Sequence, residues 1–250
     1  MLLGEPPQTR YDLRFHVFGI PVRVHPWFWA IVVILGISGG GETPPIDLLI
    51  WVGCVFVSIL VHELGHAFTA LAYGWKPWIT LYGFGGLASY QPTRHDARSQ
   101  ILISLAGPGA GFLFIALVMA IVQASGHSVQ LLPNGAVRPW ISFVGFENGN
   151  LNQIIGSLWF INIFWGLLNL LPIYPLDGGQ IMRELCLLTN RTQGIAQSLW
   201  ISIATAGGVV VFCLLSGEIY LAFMFGYLAY TSYTLLQQFS GGGYGGGRQW

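Results

Sequence analysis

Long apolar runs separated by short polar connections dominate the chain. A helix needs about 20 mostly apolar residues to cross a hydrocarbon core of roughly 30 Å. The pattern predicts six spans of this kind, of which the first is short unless the apolar stretch that begins at Ile20 extends it. The spans are Pro26–Gly39, Ile46–Tyr73, Ser99–Ala124, Leu151–Leu171, Ile195–Leu215 and Glu218–Phe239.

A segment with a different pattern lies between the second and third spans. The β-prone runs Ile79–Tyr82 and Leu87–Tyr90 flank a turn that contains Gly83, Phe84, Gly85 and Gly86. Two such runs around glycines predict a β-hairpin or a re-entrant segment. The expected fold is therefore an all-α polytopic membrane protein with about six transmembrane helices and one small β-hairpin.

Two polar ends flank the membrane region, which we place at 26–239. Residues 1–25 form an expected N-terminal segment, and the glycine-rich residues 240–250 form an expected flexible tail. The N-terminus lacks a short apolar core followed by a cleavage site, so we expect no signal peptide.

Composition narrows the class of protein. Of the 250 residues, 54% are hydrophobic and only 8% are charged, whereas about a quarter are charged in a soluble domain. This excludes an aqueous globular fold and predicts a lipid bilayer as the surroundings. Ten basic residues balance ten acidic ones, so no basic field attracts nucleic acid. The three cysteines are an odd number without CxxC spacing, which argues against a disulfide framework.

Basic residues predict how the spans are oriented. If the N-terminus is inside, nine of the ten Lys and Arg residues lie in cytoplasmic segments, and only Arg138 lies outside. This distribution requires an even number of spans. We therefore expect a multi-pass protein of the inner (plasma) membrane with both termini in the cytoplasm.

The candidate chemistry begins in the second span, at His62-Glu63-Leu64-Gly65-His66. Residues four apart share a helix face, so both imidazoles can reach one metal ion, and Glu63 lies beside them. A charged side chain in the middle of a span costs roughly 2.5 to 3.5 kcal/mol. Three ionisable side chains within five residues therefore predict a metal site rather than ordinary core packing.

A catalytic zinc site normally has three protein ligands, so one ligand must come from elsewhere. Asp177 is the leading candidate, because it follows the fourth span in a segment broken by Pro172 and Pro175. An aspartate there also suits the cap of a following helix, and the two roles are compatible. The alternative ligands lack a comparable motif. They are Glu147, Glu184 and Glu218.

The expected depths of His62 and Asp177 in the membrane are consistent with their belonging to one metal site. His62 lies roughly 24 Å along the second span from its outer end. The fourth span has the same direction, and Asp177 follows its inner end. Both parts of the predicted site therefore lie towards the cytoplasmic side.

The sequence HELGH within a span, together with NLLPIYPLDGG further on, resembles the site-2 protease family of intramembrane zinc metalloproteases. Ser104-Leu-Ala-Gly-Pro108 and Phe84-Gly85-Gly86 also match patterns of that family, in order, over roughly residues 20–188. The resemblance implies one Zn²⁺ ion per chain and a hairpin near the active site. It implies zinc binding by His62, His66 and Asp177, catalysis by Glu63 as base, and substrate binding by Asn169, Phe84, Gly85 and Gly86.

One departure from the family pattern occurs in the third span. The family often has Asn after the Gly-Pro pair, whereas this chain has Gly109-Ala110-Gly111. The pair Gly107 and Gly111 forms GxxxG, which we interpret as close helix packing. PDZ and CBS domains, common in relatives, are not found, so the chain resembles a minimal bacterial member.

The implied activity is hydrolysis of a peptide bond within or near the transmembrane segment of a membrane-protein or peptide substrate, that is, regulated intramembrane proteolysis. Segment 79–90 is a candidate to bind the unwound substrate by β-addition. Two alternatives are a membrane metal transporter and a catalytically inactive client-binding protein. A transporter favours several sites along a path, and the presence of every catalytic residue type disfavours the second. The sequence does not indicate an oligomeric state.

Overall fold

The computed structural model is mostly helical over the residues it describes, which are 5–37, 44–83, 85–92, 96–127, 129–131, 141–143 and 146–241. The helices are α1 (Pro26–Ile37), α2 (Pro45–Ala72), α3 (Ala97–Ala124), α4 (Gly149–Asn169), α5 (Asp177–Thr189), α6 (Gly194–Leu215) and α7 (Ile219–Gly241). The strands are β1 (Leu13–Val17), β2 (Ile20–Val24), β3 (Trp78–Tyr82), β4 (Gly85–Ser89), β5 (Val129–Leu131) and β6 (Ile141–Phe143).

Five helices in the described part of the chain are long and apolar enough to cross a membrane: α2, α3, α4, α6 and α7. The prediction of a multi-pass helical membrane protein is confirmed. The first predicted span corresponds to α1, whose 12 residues extend about 18 Å, less than any of the five longer helices. The apolar stretch from Ile20 does not lengthen it, since Ile20–Val24 forms β2.

The predicted hairpin, β3 and β4, belongs to a larger mixed sheet. Strands β1 and β2 form an antiparallel hairpin within the N-terminal segment, and β2 pairs in parallel with β3, so that Val22 lies opposite Ile79. The order is β1-β2-β3-β4. The turn between β1 and β2 contains Phe18 and Gly19, which both have positive φ, at 50° and 81°.

The sheet fixes the directions of α1 and α2. Strand β2 leads directly into α1, α2 leads into β3, and the His25 backbone N–H donates to the Leu81 carbonyl over 2.8 Å. Helix α1 therefore begins at the sheet where α2 ends. This threading agrees with two crossings between β2 and β3, although α1 is short.

The N-terminal residues are held on the sheet by the buried guanidinium of Arg23. Arg23 donates to Oε1 of Glu5 over 2.9 Å and to Oδ2 of Asp12 over 3.1 Å. The hydroxyl of Thr80 on β3 donates to the same Glu5 oxygen over 2.8 Å. Burial alone would raise the pKa of Asp12, but hydrogen bonds from Thr9 and Arg23 and the Arg23 charge outweigh it and lower the pKa to about 2.

The chain divides into two compact units, each with its own core. The first contains the described residues of Met1–Arg94 and Ala106–Leu167. Its core is formed by buried side chains of β2, α1, α2, β3 and α4. They include Val24, Phe28, Ile59, Ile79, Leu81 and Ile161.

The second unit contains the described residues of His95–Leu105 and Leu168–Trp250. Its core lies between α6 and α7, where Ala206 and Phe225 are almost completely buried together with Ile173. The backbone N–H of Tyr174 donates to the hydroxyl of Ser202 on α6. The break between α4 and α5 is thereby packed against a spanning helix of the same unit.

Candidate metal centre

Three potential metal ligands lie close together on α2. His62, Glu63 and His66 are each at least 93% buried, and their ligand atoms all lie within 4.8 Å of one another. The centroids of the two imidazole rings are 4.9 Å apart. The spacing of four residues places the two imidazoles on the same helix face, and Glu63 directly follows His62 in the chain.

Helix α3 lies against the two imidazoles at a glycine. A Cβ on Gly107 would overlap Nε2 of His66 and lie 2.8 Å from Nε2 of His62. The missing side chain thus leaves a space bounded by both ring nitrogens. Imidazole nitrogens are donors that suit Zn²⁺, so the two histidines fit the metal. The interpretation of GxxxG as helix packing was incomplete, because Gly107 also makes room at the histidines.

We expect Gly107→Ala to lower zinc affinity by about ten-fold or more, because the new methyl group displaces the imidazoles from their present positions. Zinc bound by the purified protein, measured by competition with a chelator, checks this. The matched control is Gly109→Ala on the same helix, where a Cβ would meet nothing within 4 Å. Equal zinc affinity in the two variants would contradict the position assigned to Gly107.

Strand β4 packs closely against the carboxylate of Glu63. A Cβ on Gly86 would overlap Cγ and Oε1 of Glu63, so only glycine lets the strand approach this closely. The carboxylate is thereby confined between the β4 backbone and the two histidines. A buried carboxylate beside two potential metal ligands has the chemistry of a candidate proton acceptor.

The other hairpin residues have different positions. Gly85 and Gly86 begin β4 rather than forming the turn, and Gly85 has a φ of 116° with the ring of Trp165 3.0 Å from its Cβ position. Phe84 lies outside the described residues, so its predicted role stays a prediction. Among the described residues, β4 is the last strand in the order of the sheet, and no described strand pairs with its outer edge.

Asn169 and Asp177 belong to the second unit and flank its proline-containing break. Asn169 is the last residue of α4, and Asp177 is the first residue of α5, with Leu176 as the N-cap. Asp177 therefore does not occupy the cap position. The zinc-binding role of Asp177 and the substrate-binding role of Asn169 stay predictions.

Close backbone contacts explain why two glycines follow Asp177. A Cβ on Gly178 would overlap the backbone of Leu170, and one on Gly179 would lie 2.5 Å from the backbone of Ile173. The LDGG sequence thus lets α5 begin directly against the chain that leaves α4. This close approach fixes the backbone at Asp177 within its own unit.

The competing acidic ligands differ in burial. Glu147 and Glu218 are exposed, whereas Glu184 is 5% exposed on α5. Asp177 itself is half-buried, and Glu184 is the acidic side chain against which its assignment is compared.

Sequence reasoning missed a polar pair close to the histidines. Asn162 of α4 donates to the hydroxyl of Ser58 on α2 over 2.9 Å, and both side chains are buried. Ser58 precedes His62 by one helical turn and shares its face. That spacing of four was visible in the sequence, but the partner helix was not.

The chain matches known proteins over most of its length. Residues 50–215 match Peptidase family M50. The sll0528 protein of Synechocystis sp., which its name describes as a zinc metalloprotease, is 32% identical over 193 residues, covering 72% of this chain and 45% of that protein. Zinc metalloprotease MJ0392 of Methanocaldococcus jannaschii is 29% identical over 212 residues, covering 83% of this chain and 54% of that protein.

The fold is also similar to a solved structure. The site-2 protease from Methanocaldococcus jannaschii gives a TM-score of 0.60 at 26% identity, covering 90% of this chain and 95% of that chain. The chain spans about half the length of the curated relatives it matches.

Proposed function

Because the chain belongs to peptidase family M50, we propose that it is an intramembrane zinc metalloprotease of the site-2 protease type. The substrate is a membrane protein cut within or near its transmembrane segment, in the regulated intramembrane proteolysis that is general to the family. The main support for this proposal is the buried cluster of His62, Glu63 and His66. This cluster lies within α2, a helix long enough to span a membrane.

The zinc ligands in this proposal are His62, His66 and Asp177, for one ion per chain. When bound, zinc supplies Lewis-acid chemistry, since it polarises the scissile carbonyl and makes the attacking water more acidic. The space at Gly107, bounded by the two imidazole nitrogens, supports the histidine assignments. The chemistry of a third oxygen ligand and the motif LDGG support Asp177.

Glu63 is the proposed base. Its carboxylate takes a proton from the attacking water and later delivers it to the leaving amine. The close backbone of Gly86 limits where this carboxylate can move, which keeps an oxygen within 4.8 Å of the imidazole nitrogens.

Substrate binding is assigned to Phe84, Gly85, Gly86 and Asn169. A substrate helix must unwind before its carbonyls become accessible, and an extended segment needs partners for its backbone in the membrane. The outer edge of β4 supplies such partners by β-addition, and Gly86 brings this strand next to Glu63.

We place both termini in the cytoplasm and the cut in the inner half of the substrate's span. The excess of basic residues in segments predicted to be cytoplasmic supports this orientation. His62 lies about 15 Å before the C-terminal end of α2, the end that the sheet also adjoins. Water has the shorter route to the centre from that side.

The test is cleavage of a single-span model substrate by the purified chain in liposomes. We expect zinc-dependent cleavage, with the new terminus mapped by mass spectrometry to the cytoplasmic half of the substrate span. A zinc-loaded chain that leaves a panel of such substrates intact would overturn the protease assignment. A cut in the outer half would instead contradict the orientation.

A further inference from the structure

The turn between β1 and β2 carries an aromatic side chain that the proposed mechanism does not use. Phe18 follows the last residue of β1 and has a φ of 50°. A bulky side chain is uncommon at positive φ, where glycine and asparagine are the ordinary residues. The Phe18 side chain is 79% exposed, so burial within the protein does not explain why phenylalanine occupies this position.

The alternation of side chains along β1 would put this ring on the polar face of the sheet. Successive side chains of a strand point to opposite faces. Phe15 and Val17 pack on the core of the first unit, so Arg14 and His16 point the other way. A regular continuation of β1 would place Phe18 with Arg14 and His16. The left-handed backbone at Phe18 ends this alternation, and its ring lies beside α2 instead.

Phe18 contacts α2 near the C-terminal end of that helix. The ring centroids of Phe18 and Phe68 are 5.6 Å apart. Phe68 precedes the last residue of α2 by four positions, which is about 6 Å along the helix axis. Phe68 is itself exposed, as is Leu71, which lies three residues later on the same face. The turn therefore extends an exposed apolar surface of a helix that is long enough to cross a membrane.

The length of α2 indicates the depth of this surface in the bilayer. Its 28 residues extend about 42 Å, which exceeds a hydrocarbon core of roughly 30 Å by about 12 Å. With that excess divided between the two ends, Phe68 lies at the boundary between acyl chains and headgroups. Tyr73, at the C-cap of α2, is exposed and is the kind of aromatic residue that is enriched at this boundary. Phe18 lies at the same level because its ring contacts Phe68.

We propose that the β1–β2 turn anchors the sheet in the leaflet at the C-terminal end of α2, with the Phe18 ring inserted among the acyl chains next to the headgroups. Transfer of an exposed phenyl ring from water to acyl chains is favourable, which offsets the uncommon backbone conformation. The occupant is lipid because the surface continues the exposed apolar side of α2. Only the crossing of the membrane by α2 is required, not the proposed protease function.

The test is the depth of a nitroxide spin label attached at Phe18→Cys. The label is placed in the full chain after Cys54, Cys186 and Cys213 are changed to serine, and the protein is reconstituted in liposomes of phosphatidylethanolamine and phosphatidylglycerol. Electron paramagnetic resonance compares collisions of the label with oxygen, which concentrates among acyl chains, and with a water-soluble nickel chelate. We expect oxygen collisions to dominate at Phe18→Cys and nickel collisions to dominate at the matched control, His16→Cys. Equal access of the nickel chelate to the two labels would overturn the proposal.

A second measurement uses Phe18→Asn, because asparagine tolerates positive φ and makes the turn itself easier to form. We expect the backbone amide hydrogens of β1 and β2 to exchange with solvent several-fold faster in Phe18→Asn than in the wild type when both are in the same liposomes, since the lipid contact is lost. A ring without lipid contact predicts slower or unchanged exchange, and that result would contradict the anchor.

Phe68→Leu separates the lipid contact from the contact between the two rings. This change keeps an apolar side chain on α2 but removes the aromatic partner of Phe18. Amide exchange in β1 and β2 should stay close to the wild-type rate. If Phe68→Leu accelerated exchange as much as Phe18→Asn, the ring pair rather than the leaflet would hold the turn, and the proposal would be wrong. Neither measurement uses cleavage, so a failure of the protease function is distinguished from a failure of the anchor.

Discussion

Replacing Glu63 with glutamine is expected to lower kcat by about 10²–10⁴-fold while zinc remains bound. The amide cannot accept a proton from the attacking water, but it is close in size to the carboxylate and fits the space beside Gly86. Cleavage of a model transmembrane substrate gives the rate. The zinc content of the same preparation, measured by elemental mass spectrometry, shows that the ligands are intact.

The matched control for this change is Asp47→Asn in the first turn of α2. It makes the same carboxylate-to-amide substitution on the same helix, far from the histidines, and should retain wild-type activity. If Glu63→Gln cut the substrate at the wild-type rate, Glu63 would not be the base. If it lost zinc as well as activity, the carboxylate would have to be counted among the ligands.

Removing any of the three proposed zinc ligands is the second change with a large expected effect. His62→Ala, His66→Ala and Asp177→Ala should each lower zinc affinity by more than about 100-fold and abolish cleavage, because each leaves two protein ligands where a catalytic site uses three. Zinc stoichiometry after dialysis against a weak chelator measures the loss. Circular dichroism of the same samples checks that the helices persist.

Two variants in α5 serve as controls for the third ligand. Glu184→Gln changes a buried carboxylate of that helix, and Cys186→Ser changes a free thiol nearby. Both should keep their zinc. If Glu184→Gln lost zinc while Asp177→Ala kept it, the assignment of Asp177 would be wrong, and the two histidines would remain ligands.

The helices were predictable because a bilayer imposes a local rule on the sequence. A span must be apolar for its whole length, so the second predicted span, Ile46–Tyr73, differs from α2 by one residue at each end. The N-terminal sheet was not predictable in this way. Strand β2 is apolar enough to be mistaken for the start of a span, and hydropathy does not show that its partner, β3, lies beyond two helices.

The candidate site likewise has residues that the sequence could predict and residues that it could not. His62, Glu63 and His66 were identified because their contacts lie within one helix, where spacing alone determines which residues share a face. The contributions of Gly86, Gly107 and Asn162 depend on which strand or helix packs against α2. Those neighbours are set by tertiary packing, so no local pattern in the sequence could assign them.

The parallel pairing of β2 with β3 has a consequence for biogenesis. The ribosome completes β2 before α1 and α2, and it makes β3 only after both. At about 5–20 residues per second, β2 exists for several seconds before its partner strand. Strand β4, whose Gly86 encloses the Glu63 carboxylate, is made later still. A nascent chain therefore inserts HELGH into the bilayer with the centre uncovered, and its maturation is coupled to translation of the hairpin beyond α2.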